Sequence, residues 1–284
     1  MRYDQIMGLE ITLKIGCPNN CLYCPQQLLL SRYQGPKCFT LESFKKCIEG
    51  GQVPVSKHCT FMGKGEPFQC PDATKIIRWA MVERGHGGSL STTLRGCTHE
   101  DIEALREMKF TDTIIHVPDA AGQMHIEPDD KWLALFEHAI EAWRHHPDFV
   151  ISVFGPAHPK VLPTWIKSGI PLVNFGQHDR AGLVPWLKHG DRGAPVPLCG
   201  KMFCGSLLPS GDIVRCCSDY GLENRWGNLN QMTYRECYRS QAFRDYMLSL
   251  KDPKATPRCR FCMDGYHSIN PEDRHKTYEN PCPE

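Results

Sequence analysis

The chain has little of what would mark a nucleic-acid-binding, membrane or secreted protein. Lys plus Arg number 33 and Asp plus Glu 32, leaving a formal net charge of +1 over 284 residues. That balance carries no electrostatic footprint for nucleic acid or an anionic bilayer. No apolar run approaches the ~20 residues of a membrane span, and Met1 to Gly8 lacks the charged-then-apolar pattern of a signal peptide. Internal repeats and low-complexity tracts are missing as well. The expectation is a cytoplasmic protein with neither a nucleic-acid nor a membrane partner.

Cysteine is what the chain has in excess, with 16 residues. Without an export pattern, so many thiols point to metal ligation, redox chemistry and core packing rather than disulfides. Seven fall into patterned groups. The remaining nine, Cys38, Cys47, Cys59, Cys70, Cys97, Cys204, Cys217, Cys237 and Cys282, share no ligand spacing, and small buried hydrophobes are their default reading.

Apolar strand patterns and amphipathic helix patterns alternate along the first two thirds. "LEITLKI", "HCTFMG", "SLSTTL", "DTIIHVPD", "FVISVFG" and "PLVNFGQ" read as strands. "LESFKKCIEGG", "DATKIIRWAMVERG", "HEDIEALREM", "DKWLALFEHAIEAWRHH" and "LPTWIKSG" read as helices between them, with Thr98 as an N-cap. Six strand-to-helix units in succession imply a parallel sheet with helices outside, an α/β fold. Beyond Asp179 a Gly- and Pro-rich stretch reads as a linker, followed by a hairpin turned at Pro209-Ser210-Gly211-Asp212 and a helix over about Tyr234 to Leu250. At this length one large domain with a smaller appendage is expected, with boundaries 1–185 and 186–284.

The first patterned group is "GCPNNCLYCPQ", in which Cys17, Cys21 and Cys24 stand at C-x3-C-x2-C directly after the first strand. Zinc and ordinary iron–sulfur sites are closed by four protein ligands, so three in one loop either borrow a distant fourth or leave a metal position open. At the end of the second strand lies "GKGEP", Gly63 to Pro67. Its glycines permit close backbone approach, and Glu66 offers a carboxylate suited to an ammonium group. The second group, Cys199, Cys216, Cys259 and Cys262, combines the hairpin, with Gly211 at its turn, and a trailing C-x2-C. Four such thiolates can close around one iron–sulfur cluster or one structural zinc.

The cysteine loop with an aromatic residue, Tyr23, before its third cysteine, followed by "GKGEP", resembles the radical SAM enzymes. That resemblance implies a partial (β/α)6 barrel whose loop holds a 4Fe–4S cluster, the open iron being chelated by S-adenosylmethionine (SAM). The SAM site would include Tyr23, Gly63, Gly65, Glu66 and Pro67. The C-terminal group, with "GNL" at Gly227 to Leu229, looks like the small hairpin-plus-helix twitch domain, a reduced relative of SPASM, and implies a second, auxiliary 4Fe–4S cluster. Structural zinc is the alternative there, and a zinc-stabilised interaction protein is the non-enzyme reading.

The resemblance further implies cleavage of SAM to a 5′-deoxyadenosyl radical and a flavodoxin- or ferredoxin-type electron donor. An auxiliary cluster suits oxidation, as in 2-deoxy-scyllo-inosamine dehydrogenase-type enzymes, and a small sugar- or aminocyclitol-like substrate. Arg180 is the candidate for polarising a substrate hydroxyl, by likeness to an Arg that precedes the auxiliary cluster in such dehydrogenases; a surface salt bridge is the competing explanation. Epimerisation is the alternative reaction and needs a thiol hydrogen donor, for which Cys97, Cys204 and Cys237 are candidates. Peptide modification is a further alternative. His145 and His146 are read as helix-end residues rather than metal ligands.

Overall fold

The computed structural model describes residues 8–174, 178–187, 199, 201 and 204–262. Cys282 and most of the Gly- and Pro-rich stretch lie outside the described residues.

Six parallel strands form the body: β1 (Gly8–Thr12), β2 (His58–Met62), β3 (Gly88–Thr92), β4 (Thr113–His116), β5 (Phe149–Val153) and β6 (Leu172–Asn174). Each hydrogen-bonds in parallel to its sequence neighbour. The helices between them are α1 (Gln26–Arg32), α2 (Leu41–Gly50), α3 (Ala73–Arg78), α4 (His99–Leu105), α5 (Asp130–Trp143) and α6 (Leu162–Ser168). This is the partial α/β barrel that the alternating pattern leads one to expect. The period-2 pattern sorts the strands' two faces. Leu9 and Ile11 join the main apolar core, whereas Thr12 turns the other way and meets the Ser206 hydroxyl at 3.3 Å.

Local chemistry sets the helix starts. Thr98 caps α4 through a reciprocal box with Asp101, Thr40 and Ser43 do the same for α2, and the Asp129 carboxylate accepts the Trp132 N–H at 2.8 Å to begin α5. Phe39, Phe44 and Trp79 stack edge to face beneath the sheet. α3 does not run on as a regular helix; it passes into a π-helical stretch over Trp79–Glu83. α5 ends at Trp143. His146 is buried, its ring bonding Thr113 Oγ1 and the Arg106 carbonyl, so it ties the α5 end to β4 rather than capping a helix.

The C-terminal hairpin is not detached from the barrel sheet. β7 (Cys204–Leu207) pairs in parallel with β1, and β8 (Asp212–Val214) and β9 (Arg225–Asn228) continue antiparallel from it. The result is a nine-stranded sheet in the order β6-β5-β4-β3-β2-β1-β7-β8-β9. The expected long helix is two, α7 (Tyr234–Cys237) and α8 (Gln241–Ser249), because Ser240 caps a fresh start by accepting the Phe243 N–H. No described helix is long and apolar enough to cross a membrane.

Candidate active site

The carboxyl ends of β1 to β5 open into one cleft, with an interior volume of about 120 Å3. Cys17, Cys21, Cys24 and Tyr23 line it, together with Gly63 to Pro67, His116 and Phe154. Arg180, Cys217 and Tyr220 close it from the C-terminal side.

The cysteine loop is held from several directions. Its third thiol begins the approach to α1, where the buried Gln26 side chain donates to the Lys64 carbonyl at 2.7 Å and accepts from the Cys17 N–H at 3.4 Å. Asn19 donates to Thr93 Oγ1 at 2.9 Å, and the Tyr23 ring packs 4.8 Å from that of Phe154. The thiols are electrostatically unequal. Burial pushes Cys17 up to about 11. Cys24 is pulled down to about 6, chiefly by a hydrogen bond from Cys21, with the Arg180 guanidinium and the Tyr220 hydroxyl assisting against burial. A thiolate is the form that ligates metal; of the three thiols Cys24 is shifted toward it, while Cys17 and Cys21 are shifted away.

The "GKGEP" strap owes its glycines to β1 and the chain just beyond it. A Cβ on Gly63 (φ +92°) would lie 2.3 Å from Thr12 Oγ1, and one on Gly65 would lie 2.2 Å from the Lys14 carbonyl oxygen. Glu66 is buried and its four acceptor sites are engaged. Oε1 accepts from Thr92 Oγ1 at 2.5 Å and the Phe68 N–H at 3.4 Å, while Oε2 accepts from the Thr93 N–H and Oγ1, both at 2.7 Å. Burial still holds its pKa above the usual carboxylate value. The side chain thus braces the β3 end, and the strap's backbone is what remains to face a ligand.

Two further side chains, the buried Lys64 and the half-buried His116, stand in the cleft wall. Lys64, 1% exposed, donates to the Cys216 carbonyl at 2.7 Å and lies over the Tyr220 ring, fastening the strap to the C-terminal region. His116 sits between the hydroxyls of Ser91 (2.7 Å) and Ser152. Burial, with the nearby Arg180 charge, lowers its pKa to about 4 and keeps the imidazole neutral. The alternating strand pattern marks His116 as facing the lumen, but nothing local in the sequence signals the reach of Lys64.

Arg180 is half-buried at positive φ (+49°), with its Cζ 5.9 Å from the Tyr220 ring centroid and its buried Nε without a hydrogen-bond partner. It therefore belongs to the cleft wall and not to a surface salt bridge. The three cysteines expected as hydrogen donors are not among the lining residues. Cys97 lies in the turn after β3 and its thiol contacts the Thr98 carbonyl at 3.6 Å; Cys204 starts β7 beside Glu10; Cys237 is fully buried in α7 against Gly227. The thiol that does reach the cleft is Cys217. Its neighbour Cys216 belongs to the second group; both lie in the turn that follows β8.

The second group is enclosed. Cys199, Cys216, Cys259 and Cys262 are each at most 9% exposed. The Tyr246 hydroxyl lies 2.8 Å from Cys259 Sγ, and Cys262 lies with His178 and Asp179 so that their ligand atoms fall within 4.8 Å of one another. Among the described residues no three of the four thiols are that close. Four enclosed thiols are a donor set that suits an iron–sulfur cluster and a structural zinc alike.

No family model matches the sequence, and no curated protein does. Solved structures do match. BtrN, in complex with AdoMet and 2-DOIA, aligns with a TM-score of 0.61 at 14% identity over 87% of both chains. SuiB of Streptococcus suis, bound to the precursor peptide SuiA, aligns at 0.64 and 12% identity over 93% of this chain and 71% of its own. anSMEcpe with bound AdoMet aligns at 0.55 and 14% identity over 93% of this chain and 87% of its own. All three are radical SAM enzymes. The chain has their fold. The radical SAM fold accounts for the partial barrel, and the cleft with the cysteine loop lies at the carboxyl ends of its strands.

Proposed function

We propose that this chain is a radical SAM enzyme that oxidises a small polyol- or aminocyclitol-like substrate by two electrons. The observation that carries the reading is the cleft that three loop cysteines, the glycine strap and Arg180 line together. Cys17, Cys21 and Cys24 would hold a 4Fe–4S cluster with one open iron, and the strap backbone would receive the amino group of SAM. Cys199, Cys216, Cys259 and Cys262 would hold the auxiliary cluster. When bound, these groups supply a 5′-deoxyadenosyl radical in the cleft and an electron acceptor behind it.

The chain's own residues prepare the substrate. Arg180 brings a fixed cation to the cleft, where it lowers the proton affinity of a substrate hydroxyl. A deprotonated ketyl radical surrenders its electron more readily than a neutral one, so the cation favours oxidation over simple hydrogen return. Neutral His116, held between two hydroxyls, offers hydrogen bonds without adding charge. The apolar ring of Phe154 and the buried Tyr23 exclude water from that side. Likeness to BtrN, the dehydrogenase-type neighbour, over most of both chains supports a small substrate.

Cys217 favours a second reading. A thiol in the cleft wall can return a hydrogen atom to a substrate radical, which makes an epimerase. The two separate in deuterium oxide, using anaerobically reconstituted protein, SAM and candidate aminocyclitols with mass-spectrometric detection. Oxidation gives a product lighter by two hydrogen atoms and is indifferent to Cys217→Ala. Epimerisation gives solvent deuterium at an inverted carbon, lost in Cys217→Ala. Absence of SAM cleavage in iron-loaded protein would remove both readings.

A further inference from the structure

Arg215 follows β8, directly before Cys216, and is 1% exposed. Its Nη1 donates to the Tyr246 hydroxyl at 3.2 Å, with Cζ 5.7 Å from that ring's centroid, and the same hydroxyl lies 2.8 Å from Cys259 Sγ. Its Nε is buried without a hydrogen-bond partner. Among the described residues no carboxylate forms an ion pair with it. Asp219 is the acidic neighbour whose charge acts on it, yet that carboxylate accepts the N–H groups of Glu223 and Asn224. The other groups acting on it are Cys216, Tyr246 and Cys259.

A guanidinium removed from water costs several kcal/mol unless an anion meets it. Neutral thiols do not supply that anion, but four thiolates around an oxidised 4Fe–4S core leave about two negative charges, and reduction adds one more. We propose that Arg215 is the resident counter-cation of the auxiliary cluster and raises its reduction potential, so that this cluster accepts the substrate's electron. This rests on the reading that Cys199, Cys216, Cys259 and Cys262 hold iron and sulfur. In the step concerned, the ketyl radical loses one electron to the auxiliary cluster, which becomes reduced by one, while the substrate's hydroxyl proton passes to solvent and a C=O bond forms. A fixed positive charge stabilises the more negative, reduced cluster, and its Tyr246 contact carries the effect to the Cys259 sulfur. Arg215 touches neither substrate nor SAM; it tunes.

The test is a redox titration of the full-length holoenzyme followed by electron paramagnetic resonance, with metal analysis of each sample. At the wild-type midpoint, Arg215→Gln should raise the ratio of oxidised to reduced auxiliary cluster at least tenfold, about 59 mV toward negative potential for one electron. Arg215→Lys should restore most of the shift, and Tyr246→Phe should show a smaller one of the same sign. A fully iron-loaded Arg215→Gln protein whose ratio moves less than twofold overturns the proposal. If Arg215→Gln fails to take up the second cluster, uptake restored in Arg215→Lys supports the counter-cation, and loss in both overturns it. Zinc in place of iron in the wild-type protein is a different failure, since it removes the auxiliary-cluster reading itself.

Discussion

The two cysteine groups differ in their surroundings, and the proposed reading divides their work accordingly. Cys17, Cys21 and Cys24 sit on a loop at the mouth of the cleft, and their surroundings leave room for a ligand. Cys216, Cys259 and Cys262 sit behind that wall with Cys199, walled by Arg215 and Tyr246. Three thiolates with space beside them suit a metal that binds a small molecule and breaks a bond. Four enclosed thiolates beside a buried cation suit a metal that only exchanges electrons. Lys64 and Cys217 stand where the two regions meet, the first bonded to the Cys216 carbonyl and the second facing the cleft.

The largest effect should come from removing the open site. Replacing Cys17, Cys21 and Cys24 with Ala is expected to reduce 5′-deoxyadenosine formation to the protein-free background and iron from about eight to about four atoms per chain, the remainder being the enclosed cluster. Chromatographic product analysis and iron assay check both halves. Loss of all iron would mean that the two regions are not independent sites.

Arg180→Gln tests the cleft with every cysteine retained, while also removing the cation that acts on Cys24. Turnover to oxidised product should fall about 100-fold, on the order of 3 kcal/mol in barrier, as for loss of one charge-stabilising group. SAM cleavage should persist uncoupled. Higher pH should recover part of the loss, because hydroxide then removes the proton that Arg180 no longer makes acidic. An unchanged rate at every pH would leave Arg180 as a wall residue only.

Lys64→Met cuts the link between the regions. The Cys216 carbonyl loses a charged donor, so denaturant unfolding should show a loss of about 1–3 kcal/mol, with both clusters still loaded. A wild-type midpoint would show that the regions do not depend on this contact.

Much of the strand-end layout was readable in the linear sequence because its signals are local. C-x3-C-x2-C after a strand, glycines in "GKGEP", and Thr98 with Asp101 at a helix start each act within a few residues, and each lies in the structure where the pattern points. The parallel pairing of β7 with β1 joins residues 196 apart in the chain and leaves no local mark. The same holds for Lys64 reaching Cys216, and for Cys217 rather than Cys97, Cys204 or Cys237 reaching the cleft. Cys97 follows β3 closely in sequence, but its N–H closes a turn on the Leu94 carbonyl and its thiol meets the Thr98 carbonyl, not the cleft. The π-helical stretch after Arg78 and the break at Ser240 were likewise set by packing and capping that propensity alone does not report.

The smallest effect at neutral pH concerns His116. Its folded pKa of about 4 lies below the ordinary value near 6.5. The unfolded chain therefore binds this proton first as pH falls, and the folded state is progressively disfavoured between about 6.5 and 4. The full contribution is on the order of 3 kcal/mol, absent above pH 7 and complete only below about pH 4. Against His116→Asn, which cannot titrate, wild-type stability should decline more steeply through that window and match in slope above it. Parallel curves would show that His116 is charged in the folded protein or solvated more than its burial indicates.

The contrast between an open and an enclosed site is tested most directly by electron paramagnetic resonance of the chemically reduced wild-type holoenzyme before and after adding SAM. Two overlapping 4Fe–4S signals are expected. One should shift on SAM addition and vanish in the Cys17, Cys21 and Cys24 triple-Ala protein, and the other should be indifferent to both. A single cluster signal, or two signals that both ignore SAM, would contradict the account.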